Sequence, residues 1–392
     1  MAVQSLKIAI SSSGRFHMFD LARQMLRLGQ VVELFCGYPK LRMDRDLKSI
    51  SKVRPYWILA EYLRRNIGWY SNKAFNWWSN RLLEDFGPWV AKNIGNVDVL
   101  DALAGTGWEA GRVLHERGTP WICNRGSTHI LTQIQILQEE LCRWGLPPLF
   151  VDHGRPMERC LGEYEEADAI VVPSHFAKRS FVEQGVCADK MYLCPYGVDV
   201  SMFHPQPKED DRFRVLFVGS YSVQKGIGYL FEAVRPLVQK GIVELWLVGN
   251  ASSEAQAILQ RNSDIFVDKG PHPRSELSWF YSQGSVLVLP SVQEGLALVQ
   301  AQAMACGLPV IATTNTGAED LFTDGVEGFI VPIRDPNAIR DKIQWMLDNP
   351  VKRQEMGHAA LQRVQSLGGW DTYGKRCLAM YHEVLERKRC AV

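Results

Sequence analysis

The sequence predicts an α/β protein made of two doubly wound parallel-sheet domains that face a central cleft. Three observations carry this expectation. Short β-branched runs alternate with amphipathic stretches along most of the chain, the pattern of crossover units that bury parallel strands between helices. The alternation falls into two series, separated by a segment rich in proline, glycine and charge at 195–211. A chain of 392 residues, 46% hydrophobic and 22% charged, is long and apolar enough for two or three cores and is not disordered.

In order along the chain, strands are expected at 7–11 and 31–35 with a helix at about 16–28 between them, then at 97–100, 120–123, 169–172 and 191–194. The second series runs through 213–218, 243–248, 265–267, 286–289, 310–312 and 328–331. Residues 1–200 thus form a first domain and 201–368 a second, with 369–392 a terminal helix that packs back across the boundary. Residues 335–389 read as helical throughout, with Trp370, Tyr373, Leu378 and Tyr381 at helical spacing. One excursion, 55–92, breaks the alternation. It carries Trp57, Trp69, Trp77, Trp78 and Trp89 among arginines and tyrosines, which suits a helical cap, an acceptor-binding wall or a membrane-interface face.

Charge and sulfur narrow the function classes. Lys+Arg is 44 against 43 for Asp+Glu, so no global field invites nucleic acid. No apolar run approaches the roughly 18 residues of a bilayer span, and residues 1–10 lack the pattern of a secretory signal. Nine cysteines, with no Cys-x-x-Cys pair, fit free thiols in a reducing compartment. A cytoplasmic protein, or one held peripherally at the inner face of a membrane, is expected. No metal-ligand motif is visible.

Four loops that follow strands hold unusual residues, and ligands of open parallel sheets bind at such ends. The first, Ser11-Ser12-Ser13-Gly14-Arg15-Phe16-His17, lets backbone approach a ligand and offers a helix N-terminus to an anion; its Ser13 and Gly14 suit phosphate or sugar, or merely cap the helix. The second, Asn124-Arg125-Gly126-Ser127-Thr128-His129, ends a buried strand in polar groups, with His129 able to hydrogen-bond a ligand and His153 as a competitor. The third runs from Val218-Gly219-Ser220 to Lys225-Gly226 and offers a lysine at a helix start. The fourth places Glu294-Gly295 before an alanine-rich helix, where a carboxylate can accept from sugar hydroxyls, and Gln302 follows about two turns later on roughly the same face. Glutamate also suits a helix N-terminus through the dipole.

The fourth segment resembles the signature of the retaining glycosyltransferases of family 4, whose GT-B fold sets two Rossmann-like domains face to face. Glu294, Gly295, Ala303, Met304, Ala305, Gly307, Pro309 and Val310 match it, followed by Gly317-Ala318-Glu319-Asp320 and Asp324-Gly325-Val326-Glu327-Gly328. Further matches are Ala167-Asp168, Val172-Pro173-Ser174, Pro195-Tyr196-Gly197-Val198-Asp199, Val218-Gly219 and Lys225-Gly226. The resemblance implies a nucleotide-sugar donor, UDP-linked by family frequency or else GDP-linked. It implies an acceptor hydroxyl on a glycan, a lipid-linked glycan or a small molecule. No resident cofactor or metal is implied.

By the same resemblance Glu294 would bind donor-sugar hydroxyls, with the backbone of Gly295, Leu296, Ala297 and Leu298 near the sugar and phosphates. Lys225 would neutralise the departing diphosphate, Gly14 would lie against it or the acceptor from the opposite domain, and His129 would stabilise the donor sugar. Deprotonation of the acceptor would be helped by the leaving phosphate, on the front face. Two positions depart from the pattern. Ser220 stands where the family usually has arginine, so Arg15 or Arg125 is expected to supply the missing charge, with Ser13 and Ser127 near the acceptor or diphosphate. Gln302 stands for the second glutamate, whose carboxylate accepts from ribose; an amide oxygen still accepts, without charge. These departures keep open a weakly active or non-catalytic sugar-nucleotide-binding protein. Neither half shows Gly-x-Gly-x-x-Gly after its first strand, which disfavours a dinucleotide oxidoreductase.

Overall fold

The computed structural model describes residues 5–55, 84–148 and 155–390. Two all-parallel sheets organise the chain. The first has seven strands in the order β3-β2-β1-β4-β5-β6-β7: β1 (Lys7–Ser12), β2 (Val31–Cys36), β3 (Ser51–Val53), β4 (Val99–Leu103), β5 (Trp121–Asn124), β6 (Ala169–Val172) and β7 (Met191–Leu193). The second has six, in the order β10-β9-β8-β11-β12-β13: β8 (Arg214–Val218), β9 (Glu244–Val248), β10 (Val267–Gly270), β11 (Val286–Leu289), β12 (Val310–Thr313) and β13 (Gly328–Val331). Both are doubly wound, Rossmann-like sheets. Strand order reverses between β1 and β4 in one and between β8 and β11 in the other, and each reversal opens a crevice at the strands' carboxyl ends.

Central strands are apolar on both faces because helices cover both; Arg214–Val218 and Val286–Leu289 are buried along their whole length. Two expected strands shift for visible reasons. β4 runs to Leu103 instead of ending near residue 100, because Asp101 is wholly buried in it. β10 begins at Val267 and is half exposed, an edge strand whose register slips between Asp268 and Gly270. The three-residue edge strand β3 was too short to carry a periodic signal.

Residues 335–389 form three helices instead of one stretch: Pro336–Asp348, Pro350–Leu367 and Gly369–Cys390. Pro350 restarts the chain after Asn349, and Gly368 and Gly369 turn it at φ 83° and 62°. The last helix lies against His17–Arg27, and its Trp370, Tyr373, Cys377 and Tyr381 share a core with β1, β2 and β4 of the first sheet. Of the tryptophan-rich segment, Trp89 packs on Phe35 and Phe86 at ring-centre distances of 5.8 and 5.5 Å. Trp57, Trp69, Trp77 and Trp78, like His153, lie outside the described residues.

The two sheets are held together by polar contacts between facing loops and helices. Buried Gln293 donates from Nε2 to Ser127 Oγ and Thr128 Oγ1, each at 2.8 Å, and its Oε1 accepts from Gln224 at 2.9 Å. Ser174 Oγ donates to the Gly295 carbonyl at 2.6 Å. Farther out, the wholly buried Glu140 carboxylate accepts from Trp144 Nε1 (2.8 Å), Tyr229 Oη (2.5 Å) and Arg334 Nε (2.7 Å). Arg334 sits at φ 62°, a costly conformation for a residue with a side chain, held by this pairing.

Candidate active site

Between the sheets lies a cleft of about 590 Å³. Its wall includes Arg15, Phe16, His17, Phe19, Asp20 and Arg23 from the start of the first helix, Leu103 and Ala104 after β4, and Arg125, Gly126 and Ser127 after β5. Tyr196, Arg274 and Leu298 complete it. Four guanidinium groups and one carboxylate, Asp20, line this space, and Arg23 is paired with Asp20, Asp44 and Asp46. The helix His17–Arg27 opens here with no side chain capping its N-terminus, so its first amide groups are also available to an anion.

The two loops of the second domain meet beside this cleft. Gly226 begins the helix Ile227–Gln239 at φ 69°, and a Cβ there would fall 2.0 Å from the Pro290 carbonyl oxygen, so only glycine lets the two loops touch. That contact brings Lys225 Nζ onto Glu294 Oε1 as an ion pair, with Ser291 Oγ donating to the same oxygen at 3.0 Å. The backbone of Glu294 is fixed through its N–H to the Asn315 carbonyl at 2.9 Å. Immediately after it, Gly295 abuts the first domain, where a Cβ would meet the Gly126 carbonyl oxygen at 2.1 Å.

The expected site residues therefore divide. Arg15, Arg125, Ser127 and Leu298 stand on the cleft wall. Lys225, Glu294 and Gly295 assemble next to it, and buried Leu296 and Ala297 follow them into the second domain. Ser12 Oγ closes the first loop onto the Gly14 carbonyl at 2.8 Å, and Ser13 is half-buried. Ser220 is exposed. Of the two arginines expected to stand in for its missing charge, Arg15 pairs with Asp44 at 3.0 Å. Arg125 spends its hydrogen bonds on neutral acceptors, Thr128 O in its own loop (3.0 Å) and Gln133 Oε1 in the helix that follows (2.6 Å). Arg274, on the loop after β10, brings a cation to the cleft from the second domain.

Two placements correct the sequence reading. His129 does not face the cleft. It caps the helix Ile130–Arg143, Nδ1 accepting from Leu131 N at 3.3 Å, and its ring packs 4.9 Å from Tyr164 and 5.0 Å from Phe181. Burial pushes its pKa down to about 4. A histidine after a buried strand has two directions open to it, and the aromatic pocket took this one. Gln302 is likewise turned inward: its Oε1 accepts from Tyr281 Oη at 2.9 Å inside the second domain, so the atom expected to meet ribose already has a partner.

The histidine that does reach the cleft is His17. Its ring packs against Tyr196, tilted by 35° at a ring-centre distance of 4.5 Å, and Nε2 is 2.9 Å from Asn124 Oδ1. Burial pushes this imidazole down to about 4, so it is neutral at pH 7. The available signal was its place in the chain: a histidine opening the first helix at the point where strand order reverses. Tyr196 fell in a matched motif with no role assigned to it, and Arg274 gave no signal, since only folding carries it to the cleft. Among the described residues no group of three His, Cys, Asp or Glu side chains is placed to hold a metal, and no helix is long and apolar enough to cross a membrane.

Comparison with known proteins gives a consistent picture. Residues 212–349 match the family described as "Glycosyl transferases group 1". The D-inositol 3-phosphate glycosyltransferase 1 of Catenulispora acidiphila is 26% identical over 340 residues, covering 79% of this chain and 78% of that protein. A protein of Mycolicibacterium hassiacum named MMP alpha-(1->4)-mannosyltransferase is 26% identical over 404 residues, covering 94% and 93%. Among solved structures, Anabaena Alr3699/HepE in complex with UDP superposes with a TM-score of 0.69 at 14% identity, covering 96% of this chain and 100% of that one. At that identity the likeness concerns the fold, which is GT-B.

Proposed function

We propose that this chain, a glycosyltransferase of group 1 by its matches, moves a sugar from a nucleoside-diphosphate sugar to an acceptor hydroxyl with retention at the anomeric carbon, as the family 4 enzymes do. The observation that carries this reading is the Lys225–Glu294 pair, held by Gly226 at the ends of β8 and β11 and set beside a cationic cleft. When donor enters, Lys225 exchanges Glu294 for the diphosphate and Glu294 turns to the sugar hydroxyls. Charge then grows on the leaving phosphate exactly where an ammonium group waits, which favours the transition state over the bound donor. With Ser220 uncharged, Arg274 and Arg15 supply the further positive charge across the cleft. The leaving phosphate accepts the acceptor's proton, and no resident metal or cofactor takes part.

A UDP-sugar is the favoured donor, in keeping with the UDP-bound neighbour, and a GDP-sugar is the alternative. The acceptor is a hydroxyl of a glycan, a lipid-linked glycan or a small molecule. Action in the cytoplasm, with peripheral contact at a membrane for a lipid-linked acceptor, completes the proposal. Vesicle sedimentation of the full chain tests the last point.

The deciding experiment is a thermal-shift screen of the purified protein against UDP, GDP, ADP and their sugar conjugates. A ligand at 100 times its dissociation constant adds about 2.7 kcal/mol of stability. One nucleotide should raise the melting point, and Glu294→Ala should lose only the extra shift given by the sugar. NMR of the product's anomeric proton then decides retention. No shift from any nucleotide at millimolar concentration would overturn the donor assignment and favour a non-enzymatic role.

A further inference from the structure

Behind His17 runs a chain of buried polar groups that the glycosyl-transfer reading leaves unused. Asn124, the last residue of β5, is 1% exposed, and Asp101, in the middle of β4, is 0% exposed. Asn124 Oδ1 faces His17 Nε2 at 2.9 Å, and its Nδ2 faces Asp101 Oδ2 at 3.4 Å. Tyr381, from the helix that returns to the first domain, donates from Oη to the same Asp101 oxygen at 2.7 Å. Asp101 Oδ1 is buried without a hydrogen-bond partner. A buried carboxylate with an unmet oxygen is costly and calls for an explanation.

The chemistry of the groups fixes a direction. An ionised carboxylate only accepts, so Asn124 must turn its NH2 toward Asp101, which leaves Oδ1 toward the imidazole. An amide oxygen also only accepts, so the His17 nitrogen opposite it must carry the proton. In a neutral ring the other nitrogen, Nδ1, is then a bare acceptor. It has no partner among the described residues. The Cε1–Nδ1 edge lies toward Gly126 on the cleft wall, where a Cβ would approach Tyr196 Oη to 2.8 Å, Cε1 to 3.3 Å and Nδ1 to 3.7 Å.

We propose that Asp101 and Asn124 are positioning residues that lock His17 as its Nε2-protonated tautomer, so that Nδ1 accepts a hydrogen bond from a substrate hydroxyl in the cleft. Burial supports the lock from both ends. It pushes His17 down to about 4 and Asp101 up to about 6, which leaves the ring neutral and the carboxyl mostly ionised at pH 7. Tyr381 ties the device to the C-terminal helix, so the orientation of His17 depends on that helix being docked. The substrate contact rests on the glycosyl-transfer reading; the tautomer lock does not.

Two readouts separate these. Long-range 1H–15N spectra of the full chain at pH 7, with His17 assigned by its loss in His17→Gln, should give a protonated-type Nε2 and an unprotonated-type Nδ1. Asn124→Ala should scramble the tautomers. If that variant fails to fold, Asp101→Leu, which keeps roughly the volume and offers Asn124 no acceptor, serves in its place. An Nδ1-protonated ring in the wild type, or an unchanged ring in either variant, overturns the lock. Turnover of UDP-glucose is the second readout. His17→Gln should lower kcat about tenfold with donor KM unchanged, the effect of one uncharged hydrogen bond. Asn124→Ala should cost the same alone and nothing more in the His17→Gln background, because it acts through that ring. Additive losses would mean a merely structural Asn124 and overturn the proposal. Absence of turnover in every variant and the wild type would count against the proposed donor, and the spectra would still decide the lock.

Discussion

Gly126 and Gly295 meet across the boundary between the two domains, one on the loop after β5 and the other directly after Glu294. A Cβ on Gly295 would lie 2.1 Å from the Gly126 carbonyl oxygen and 2.9 Å from Ser127 Cα, both backbone atoms with little freedom to yield. Gly295→Ala therefore holds the domains apart while leaving each core intact. Donor turnover should fall by about 100-fold, the cost of roughly 1 Å of misplacement at a reacting centre. Steady-state kinetics with an unchanged thermal melt checks this, and full activity would mean that the contact is dispensable.

Gln293 stitches the same boundary by hydrogen bonds. Gln293→Leu keeps the volume but takes the amide donor from Ser127 Oγ and Thr128 Oγ1 and leaves Gln224 Nε2 only the Gln293 backbone carbonyl at 3.1 Å. The expected loss is about 1–3 kcal/mol of stability. A urea titration followed by tryptophan fluorescence measures it, and a midpoint equal to that of the wild type would contradict the assignment.

The Lys225–Glu294 pair predicts non-additive kinetics. Lys225→Met removes the cation expected at the leaving diphosphate and strands Glu294, whose side chain is only 12% exposed, without its counter-charge. Turnover should drop about 100- to 1,000-fold. Adding Glu294→Gln to that variant should cost less than it does in the wild type, since the stranded charge is then gone.

His129 makes a prediction about stability with pH. Its folded pKa of about 4 lies below the ordinary 6.5, so between those values the unfolded chain binds more protons. The neutral ring's contribution is whole above pH 6.5 and is lost as pH falls toward 4, by up to about 3 kcal/mol. Buried Asp101 and Glu163, raised to about 6 and about 7, work in the opposite sense, so the informative quantity is a difference between two proteins. His129→Asn keeps a helix-capping residue and removes the titration. Urea midpoints at pH 7 and pH 5 should move relative to the wild type in the variant's favour by about 2 kcal/mol, and parallel behaviour would place the ring in water.

The sequence by itself determined the two parallel sheets and the tight glycine turns at their strand ends. Those features are local: the alternation of buried strands with amphipathic helices, and glycines required by φ 69° at Gly226 or by backbone contact, leave their mark residue by residue. Side-chain direction was a tertiary decision. His129 lies a few residues after β5 just as His17 lies a few residues after β1, and although His17 opens the first helix where strand order reverses, neither neighbourhood fixes which way its ring turns. Packing separated them: Tyr164 and Phe181, far along the chain, made an apolar pocket that drew in one ring, while Tyr196 and Asn124 held the other at the cleft. Gln302 was decided in the same way by Tyr281. Asp101 lay just past the strand expected at 97–100 and became a buried carboxylate because Tyr381, 280 residues later, folds back to meet it. Period and turn chemistry are written along the chain, but which of two polar side chains faces the ligand depends on partners that only the folded chain brings near.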